Sequence, residues 1–203
     1  ALWYLAVLLL AAATAALVRE LGVFSAAVRR DRSLKFFRAA YVWLLASLVM
    51  LVLLPVHQFG LLGWLAPDSR ASQIGFSHAY YGAIRHAVTV GFLSQAIVGI
   101  VPVAVASLRG VEEWRRSWLW APFVLLNAGC LLRVSGQVLS DFQTGVFAWL
   151  VLSGVLEVIA LAIWGVHIVV LVLWRPAFRV GPEGDRRPDD VAASCIAGQA
   201  ATG

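Results

Sequence analysis

SHAYYGAIRHAVTVGFLSQAIVGIVPVAVASLRG, residues 77–110, decides the fold. Its polar first part holds two of the chain's four histidines, His78 and His86, together with Arg85. It then stays apolar for roughly 20 residues, about the length that an α-helix needs to cross a hydrocarbon core of ~30 Å. Ionisable side chains are expensive inside a membrane, so they mark a functional site by default. The stretch therefore predicts a transmembrane helix with a site near one end, supported by the remaining helices.

The composition indicates an integral membrane protein. The chain has 203 residues, of which 61% are hydrophobic and 13% are charged, and its mean hydropathy is +0.84. An ordinary soluble domain is about 25% charged. The formal charge of +5 does not by itself indicate nucleic acid, and we expect the lipid bilayer, not nucleic acid, as a partner. Two cysteines are too few for a disulfide scaffold, and Cys130 is expected to be an inert buried thiol.

Five apolar segments are long enough to cross a bilayer, which predicts an all-α polytopic membrane protein built as a bundle of five transmembrane helices. A loop that contains Gly60 and Gly63 is expected between the second and third spans. The chain starts at Ala1 directly in an apolar run, which we interpret as a genuine span and not as a targeting segment. Residues 179–203 are predicted to form a flexible cytoplasmic tail. The five-span domain covers residues 1–178, with spans at approximately 2–18, 36–57, 78–108, 118–139 and 146–174.

The distribution of basic residues predicts the orientation of the bundle. Lys and Arg cluster in the first and third connections and after the fifth span, whereas the second and fourth connections have Arg70 alone. Because cytoplasmic loops carry the excess of basic residues, we expect the N-terminus outside and the C-terminus in the cytoplasm. The expected location is a bacterial inner (cytoplasmic) membrane.

The predicted orientation places most of the polar side chains at one level. With a rise of ~1.5 Å per residue, His86 lies roughly 12 Å deeper than His78. Glu157 falls near the middle of the fifth span, and His167 stands apart in the inner leaflet. The side chains that share a level near the outer surface are those of His57, His78, Arg85, His86 and Arg133.

Histidine is the residue type in this group that binds metals. A neutral ring nitrogen is the usual axial ligand of heme iron, and His86 is either such a metal or heme ligand or a hydrogen-bonded structural histidine. His78 and His86 are offset by about 80° around the helix, so both cannot ligate one iron axially. A second ligand is therefore expected from another helix, and His57 is the best placed. His78 is a candidate copper ligand or a solvated residue at the mouth.

The arginines and glycines of the spans allow two interpretations each. Arg85 and Arg133 are predicted to pair with heme propionates bidentately, although Arg133 could instead form an ion pair with Glu157 or Asp141. Glycines next to such residues allow helices to approach closely, or they leave room for a flat macrocycle. The glycines concerned are Gly82, which shares a face with His86, and Gly129 and Gly136, which share a face with Arg133.

Two stretches resemble the NnrS family over about residues 78–137. They are RHAVTVGFLSQAIVGIVPVAVASLRG, residues 85–110, and LLNAGCLLRVSGQ, residues 125–137. The resemblance implies a heme- and copper-associated membrane protein that is linked to nitric oxide metabolism and is distantly similar to heme-copper oxidase subunit I. The family pattern is a histidine followed by Ala-Leu-Thr and Gly-Phe, then a proline, then Leu-Arg-Val. It corresponds here to His86, Ala87, Thr89, Gly91, Phe92, Pro102, Leu132, Arg133 and Val134.

Three functions remain open at this point. The first is an NnrS-like subunit that binds heme b through His86 and takes part in electron transfer or nitric oxide metabolism, with other membrane subunits as partners. It would be a redox subunit of an oxidoreductase. The second is a cofactor-free accessory subunit of a respiratory or photosynthetic complex. The third is a small transporter lined by Glu157 and Arg133, which the absence of paired broken helices and internal repeats disfavours.

Overall fold

The computed structural model of the chain describes residues 2–25, 33–108 and 119–173, and all regular structure in these ranges is helical. Five of the helices are long and apolar enough to cross a membrane. The prediction of an all-α fold with five membrane-spanning helices is therefore confirmed. The basic third connection, the tail over residues 179–203 and Cys195 lie outside the described residues, so the orientation of the termini stays a prediction.

Six helices follow one another along the described chain, and the 3₁₀ turn Thr144–Val146 precedes the last. The short helix Arg70–Ile74 is capped by Ser69, whose side chain accepts a hydrogen bond from the backbone N–H of Ser72, and by Gly75, which adopts a left-handed φ of 68°. The helices are α1 (Leu2–Glu20), α2 (Leu34–Leu65), α3 (Arg70–Ile74), α4 (His78–Leu108), α5 (Trp120–Ser140) and α6 (Phe147–Leu173).

The second helix is longer than the sequence predicts. It continues beyond 57 through the π-helical turn His57–Leu61 to Leu65, so the assignment of Gly60 and Gly63 to a loop is wrong. A helix satisfies its own backbone hydrogen bonds, which an apolar medium requires, and its continuation places Leu62 in a fully buried position. Glycine lowers helix propensity, but here that cost is outweighed.

Two pairs of helices approach each other closely at glycine residues. On α5, a Cβ at Gly136 would lie 2.8 Å from Leu150 Cδ2 of α6. On α4, a Cβ at Gly91 would lie 2.6 Å from Trp43 Cγ of α2. Close approach at glycine is a common way to pack helices in lipid, where apolar burial provides no driving force between helices. The interpretation of Gly136 as a site of close helix approach therefore agrees with the structure.

A buried network of hydrogen bonds connects α2, α4 and α5. Asn127 Oδ1 accepts from Trp43 Nε1 at 3.0 Å and from Gln95 Nε2 at 2.9 Å. Asn127 Nδ2 donates to Gln95 Oε1 at 3.2 Å and to the carbonyl of Phe123 at 2.8 Å. Side-chain hydrogen bonds between membrane helices contribute about 0.6 kcal/mol on average, so this network fixes the register of α4 against its neighbours.

Candidate functional site: two histidine–carboxylate pairs

His86 forms a pair with a carboxylate at a partly buried position between α4 and α6. Its Nε2 lies 2.8 Å from Glu157 Oε1 of α6, and the two side chains are 15% and 13% exposed. Gly129 makes room for this pair, because a Cβ there would lie 2.7 Å from Glu157 Cγ. His86 is also the last α-helical residue before the π-helical segment Ala87–Ser94, and π-helical turns occur frequently at functional sites.

His57 forms a second pair at the end of the bundle where α2 and α5 end and α4 begins, which we call the Asp141 end. His57 Nε2 lies 2.9 Å from Asp141 Oδ2, and the two side chains are 3% and 7% exposed. The same oxygen accepts a hydrogen bond from Ser77 Oγ at 2.5 Å. The ring of His57 stacks on Tyr80 at 4.1 Å and meets Phe142 edge-on at 5.7 Å between centroids. Its ring is therefore enclosed by a carboxylate and two aromatic rings.

His78 is exposed and lies beside a pocket of about 480 Å³ at the Asp141 end. Its ring meets Phe76 edge-on at 4.7 Å. The pocket is polar on several sides, because Arg70, Ser140 and Asp141 also line it. His57 therefore contacts Asp141 directly and is enclosed, whereas His78 and Asp141 both line the pocket.

The two arginines differ in their surroundings. Arg85 is exposed. Arg133 Nη1 donates to the carbonyl of Leu150 on α6 at 3.0 Å, and its Nε is buried without a hydrogen-bond partner. The alternative that pairs Arg133 with Glu157 or Asp141 is wrong, because the structure pairs these two carboxylates with His86 and His57. Arg133 does share a face with Gly129 and Gly136, as the sequence predicts.

The structure thus divides the predicted site into two levels. His57 and His78 neighbour Asp141, whereas His86 lies deeper, opposite Glu157. Among residues 2–25, 33–108 and 119–173, no three His, Cys, Asp or Glu side chains are arranged to hold a metal ion. His167 lies in α6 ten residues beyond Glu157 (167 − 157).

Sequence reasoning missed the two carboxylate partnerships and Ser77. For Glu157 a signal existed, since its depth in the fifth span is compatible with that of His86. Asp141 gave less indication, because a lone aspartate in a short turn is an ordinary surface residue. Ser77 immediately precedes α4 and also accepts from the backbone N–H of Tyr80 at 2.8 Å, which is the usual role of serine at this position.

The fit of a heme differs between the interior of the bundle and its surface. A macrocycle between α5 and α6 does not fit, because Glu157 and Leu150 already fill the space over Gly129 and Gly136. Gly82 likewise faces Gln137, whose Nε2 would lie 3.1 Å from an added Cβ. His86 fits better as a ligand at the bundle surface, since its side chain is partly exposed. Ligating histidines are normally held by a carboxylate, carbonyl or water on the other nitrogen, so iron at Nε2 would require the ring to turn.

Cys130 is fully buried, and it is a free thiol. A membrane-buried cysteine of this kind behaves as a small apolar residue. It packs in one cluster with Ala83, Ala87 and Val134. The prediction that Cys130 is buried is confirmed, and its inertness stays a prediction.

Five apolar helices that carry polar pairs in their contacts define an integral membrane protein of the polytopic helical class. The model of the NnrS protein family matches residues 1–176, and the chain belongs to this family. The match extends well beyond the two stretches at residues 78–137 that resemble the family in the sequence. No curated protein and no solved structure matches the chain.

Proposed function

We propose that this NnrS-family chain is a heme-binding membrane subunit that takes part in nitric oxide metabolism or electron transfer. The observation that supports it best is the His86–Glu157 pair, with 2.8 Å between Nε2 and Oε1. A histidine and a carboxylate are costly to place among membrane-spanning helices, so their presence there indicates a function. Heme b is the proposed cofactor, and heme iron would supply one-electron exchange and a coordination position for nitric oxide.

The residues of the chain would divide the work of holding such a group. His86 would hold the heme iron through a ring nitrogen, and Glu157 would fix the orientation of the imidazole. Arg85 is exposed and would pair with a propionate, and Arg133 stays the second proposed propionate partner. His57 remains a proposed second ligand only if Asp141 releases it. The pair would have to separate, and the stacked Tyr80 ring would have to move.

Copper is proposed at His78, because its ring is exposed beside the pocket that Asp141 also lines. His78 and Asp141 alone would hold copper weakly, so a further ligand would have to come from a partner. Other membrane subunits are the proposed source of it. The same subunits could supply the second heme ligand.

A cofactor-free accessory subunit is the second candidate. The observation that favours it is that both buried histidines already have carboxylate partners, with the His57 ring 3% exposed. Hydrogen bonds of this kind stabilise a bundle without any cofactor. The two candidates differ in a property that is simple to measure.

An absorption spectrum of the purified chain distinguishes them. A heme-binding subunit gives a Soret band and, after reduction, an α-band, and both are lost in His86→Ala. His78→Ala is the matched control, because it removes an exposed histidine of the same helix and is expected to keep the bands. The chain is purified with added heme, and its elution profile in size-exclusion chromatography shows whether it is folded. A folded chain that is colourless contradicts heme binding. Bands that persist in His86→Ala contradict the assignment of the ligand.

A further inference from the structure

Three polar residues form a stripe along one face of α5 and its C-terminal cap, Asp141. Arg133, Gln137 and Asp141 follow one another at intervals of four residues, and residues at this spacing lie above one another on a helix. Asp141 lines the pocket at the Asp141 end, and Gln137 faces α4 at Gly82, where a Cβ would come within 3.1 Å of its amide nitrogen. The stripe therefore leads from the pocket into the contact between α4 and α5.

Two atoms of this stripe lack hydrogen-bond partners although they are buried. They are Arg133 Nε, a donor, and Gln137 Oε1, an acceptor. Leaving such groups unsatisfied costs about 1–3 kcal/mol each, and more for a charged group. Most buried polar groups in proteins are therefore paired, either within the protein or with ordered water.

Water is the group that can satisfy both atoms, one of which is a donor and the other an acceptor. Side chains four residues apart on a helix have Cβ atoms about 5–6 Å apart, and the two atoms are not bonded to each other. A bridging water can accept from Arg133 Nε–H and donate to Gln137 Oε1. Internal water is stable where it makes about 2–4 hydrogen bonds. Asp141 uses Oδ2 for both hydrogen bonds that it accepts, from His57 and Ser77, so Oδ1 can continue the chain of bonds to the pocket.

We propose that α4 and α5 enclose a file of internal water that leads from the pocket at the Asp141 end to Arg133. The file begins at the pocket of about 480 Å³, passes the side chain of Gln137 and ends at the guanidinium of Arg133. The ligand of this site is water, and the consequence is an aqueous access route into the part of the bundle that the membrane surrounds. The proposal does not depend on whether heme is bound.

Cysteine accessibility tests this route in the full chain in membranes. The background carries Cys130→Ala and Cys195→Ser, and single cysteines are then placed in three positions. Gln137→Cys probes the route, Ala79→Cys probes the pocket that it lines, and Leu131→Cys probes a side chain of α5 that is 60% exposed on the apolar surface. The probe is a negatively charged methanethiosulfonate reagent that does not cross bilayers.

The route predicts a clear order of rates. Only a thiolate reacts, and a thiol forms one only where water reaches it. Gln137→Cys is therefore expected to react within about tenfold of Ala79→Cys and about a hundredfold faster than Leu131→Cys. Equal rates at positions 137 and 131, whether fast or slow, overturn the proposal.

A measurement on the natural sequence guards against a Gln137→Cys variant that does not fold. Hydroxyl radicals that are generated by X-rays oxidise side chains beside internal water. Leu150 lies near the inner end of the route, because its carbonyl accepts from Arg133, and it is expected to be oxidised more than the lipid-exposed Leu131. Oxidation of Leu150 that does not exceed that of Leu131 contradicts the route.

Discussion

Replacing Gly129 by alanine tests the contact that brings Glu157 to His86. An added Cβ would lie 2.7 Å from Glu157 Cγ and 3.0 Å from the backbone oxygen of Ser153. The backbone oxygen belongs to α6 and cannot turn away, and Glu157 is held by its 2.8 Å contact with His86 Nε2. The strain therefore has to be relieved by moving α6 as a whole or by breaking the pair.

The expected loss follows from two opposing effects. Overpacking a well-packed contact costs about 1–3 kcal/mol, whereas alanine improves helix propensity over glycine by about 1 kcal/mol. Gly154→Ala is the matched control, because an added Cβ there meets nothing within 4 Å. It is expected to gain about 0.5–1 kcal/mol. The free energies of unfolding of the two variants should therefore differ by about 1–3 kcal/mol, with Gly129→Ala the less stable.

Unfolding in mixed micelles with increasing SDS, followed by circular dichroism, measures this difference. Both variants keep every polar group, so the difference reports on packing alone. If Gly129→Ala is as stable as Gly154→Ala, the close contact between α5 and α6 at Glu157 is refuted.

Two further predictions concern the hydrogen bonds of the bundle and use the same unfolding measurement. Asp141→Ala removes the acceptor of His57 and Ser77 and should lower the free energy of unfolding by about 1–3 kcal/mol. The control Asp68→Ala changes an exposed residue and should leave the free energy of unfolding unchanged. Equal effects of the two substitutions contradict the buried pair. Asn127→Leu removes the centre of the network between α2, α4 and α5 and should cost about 1–3 kcal/mol, and a loss no larger than that of Ser135→Ala, whose hydroxyl bonds only within α5, contradicts the network.

The fold could be predicted from the sequence because its determinant is local. A run of apolar residues as long as the hydrocarbon core has one stable solution in lipid, a helix with satisfied backbone bonds. The end of α2 could not be predicted in the same way. Gly60 and Gly63 have the composition of a loop, and only the burial of Leu62 in the assembled bundle shows why the helix continues.

The site could be predicted only in part. The sequence indicates how deep a residue lies along a membrane-spanning helix, but not which neighbouring helix its side chain faces. The rise per residue places His86 roughly 12 Å deeper than His78, although the prediction grouped both with His57 at one level near the outer surface. Whether two side chains meet depends on how helices rotate about their axes, and that is set by packing over the whole bundle. Glu157 pairs with His86 and not with Arg133. Gly129 contributes to this choice, because it has no side chain and leaves room for Glu157 to pack against α5. Similarly, Asp141 becomes a site residue because the end of α5 reaches His57 of α2.

The His86–Glu157 pair joins α4 to α6, and a double-mutant cycle on these two residues measures its strength directly. Unfolding free energies are determined for the natural chain, His86→Ala, Glu157→Ala and the double variant. We predict a coupling energy of about 0.5–2 kcal/mol, because each single change leaves a polar group without its partner in an apolar interior. A coupling energy of zero, with the two losses simply additive, would contradict it.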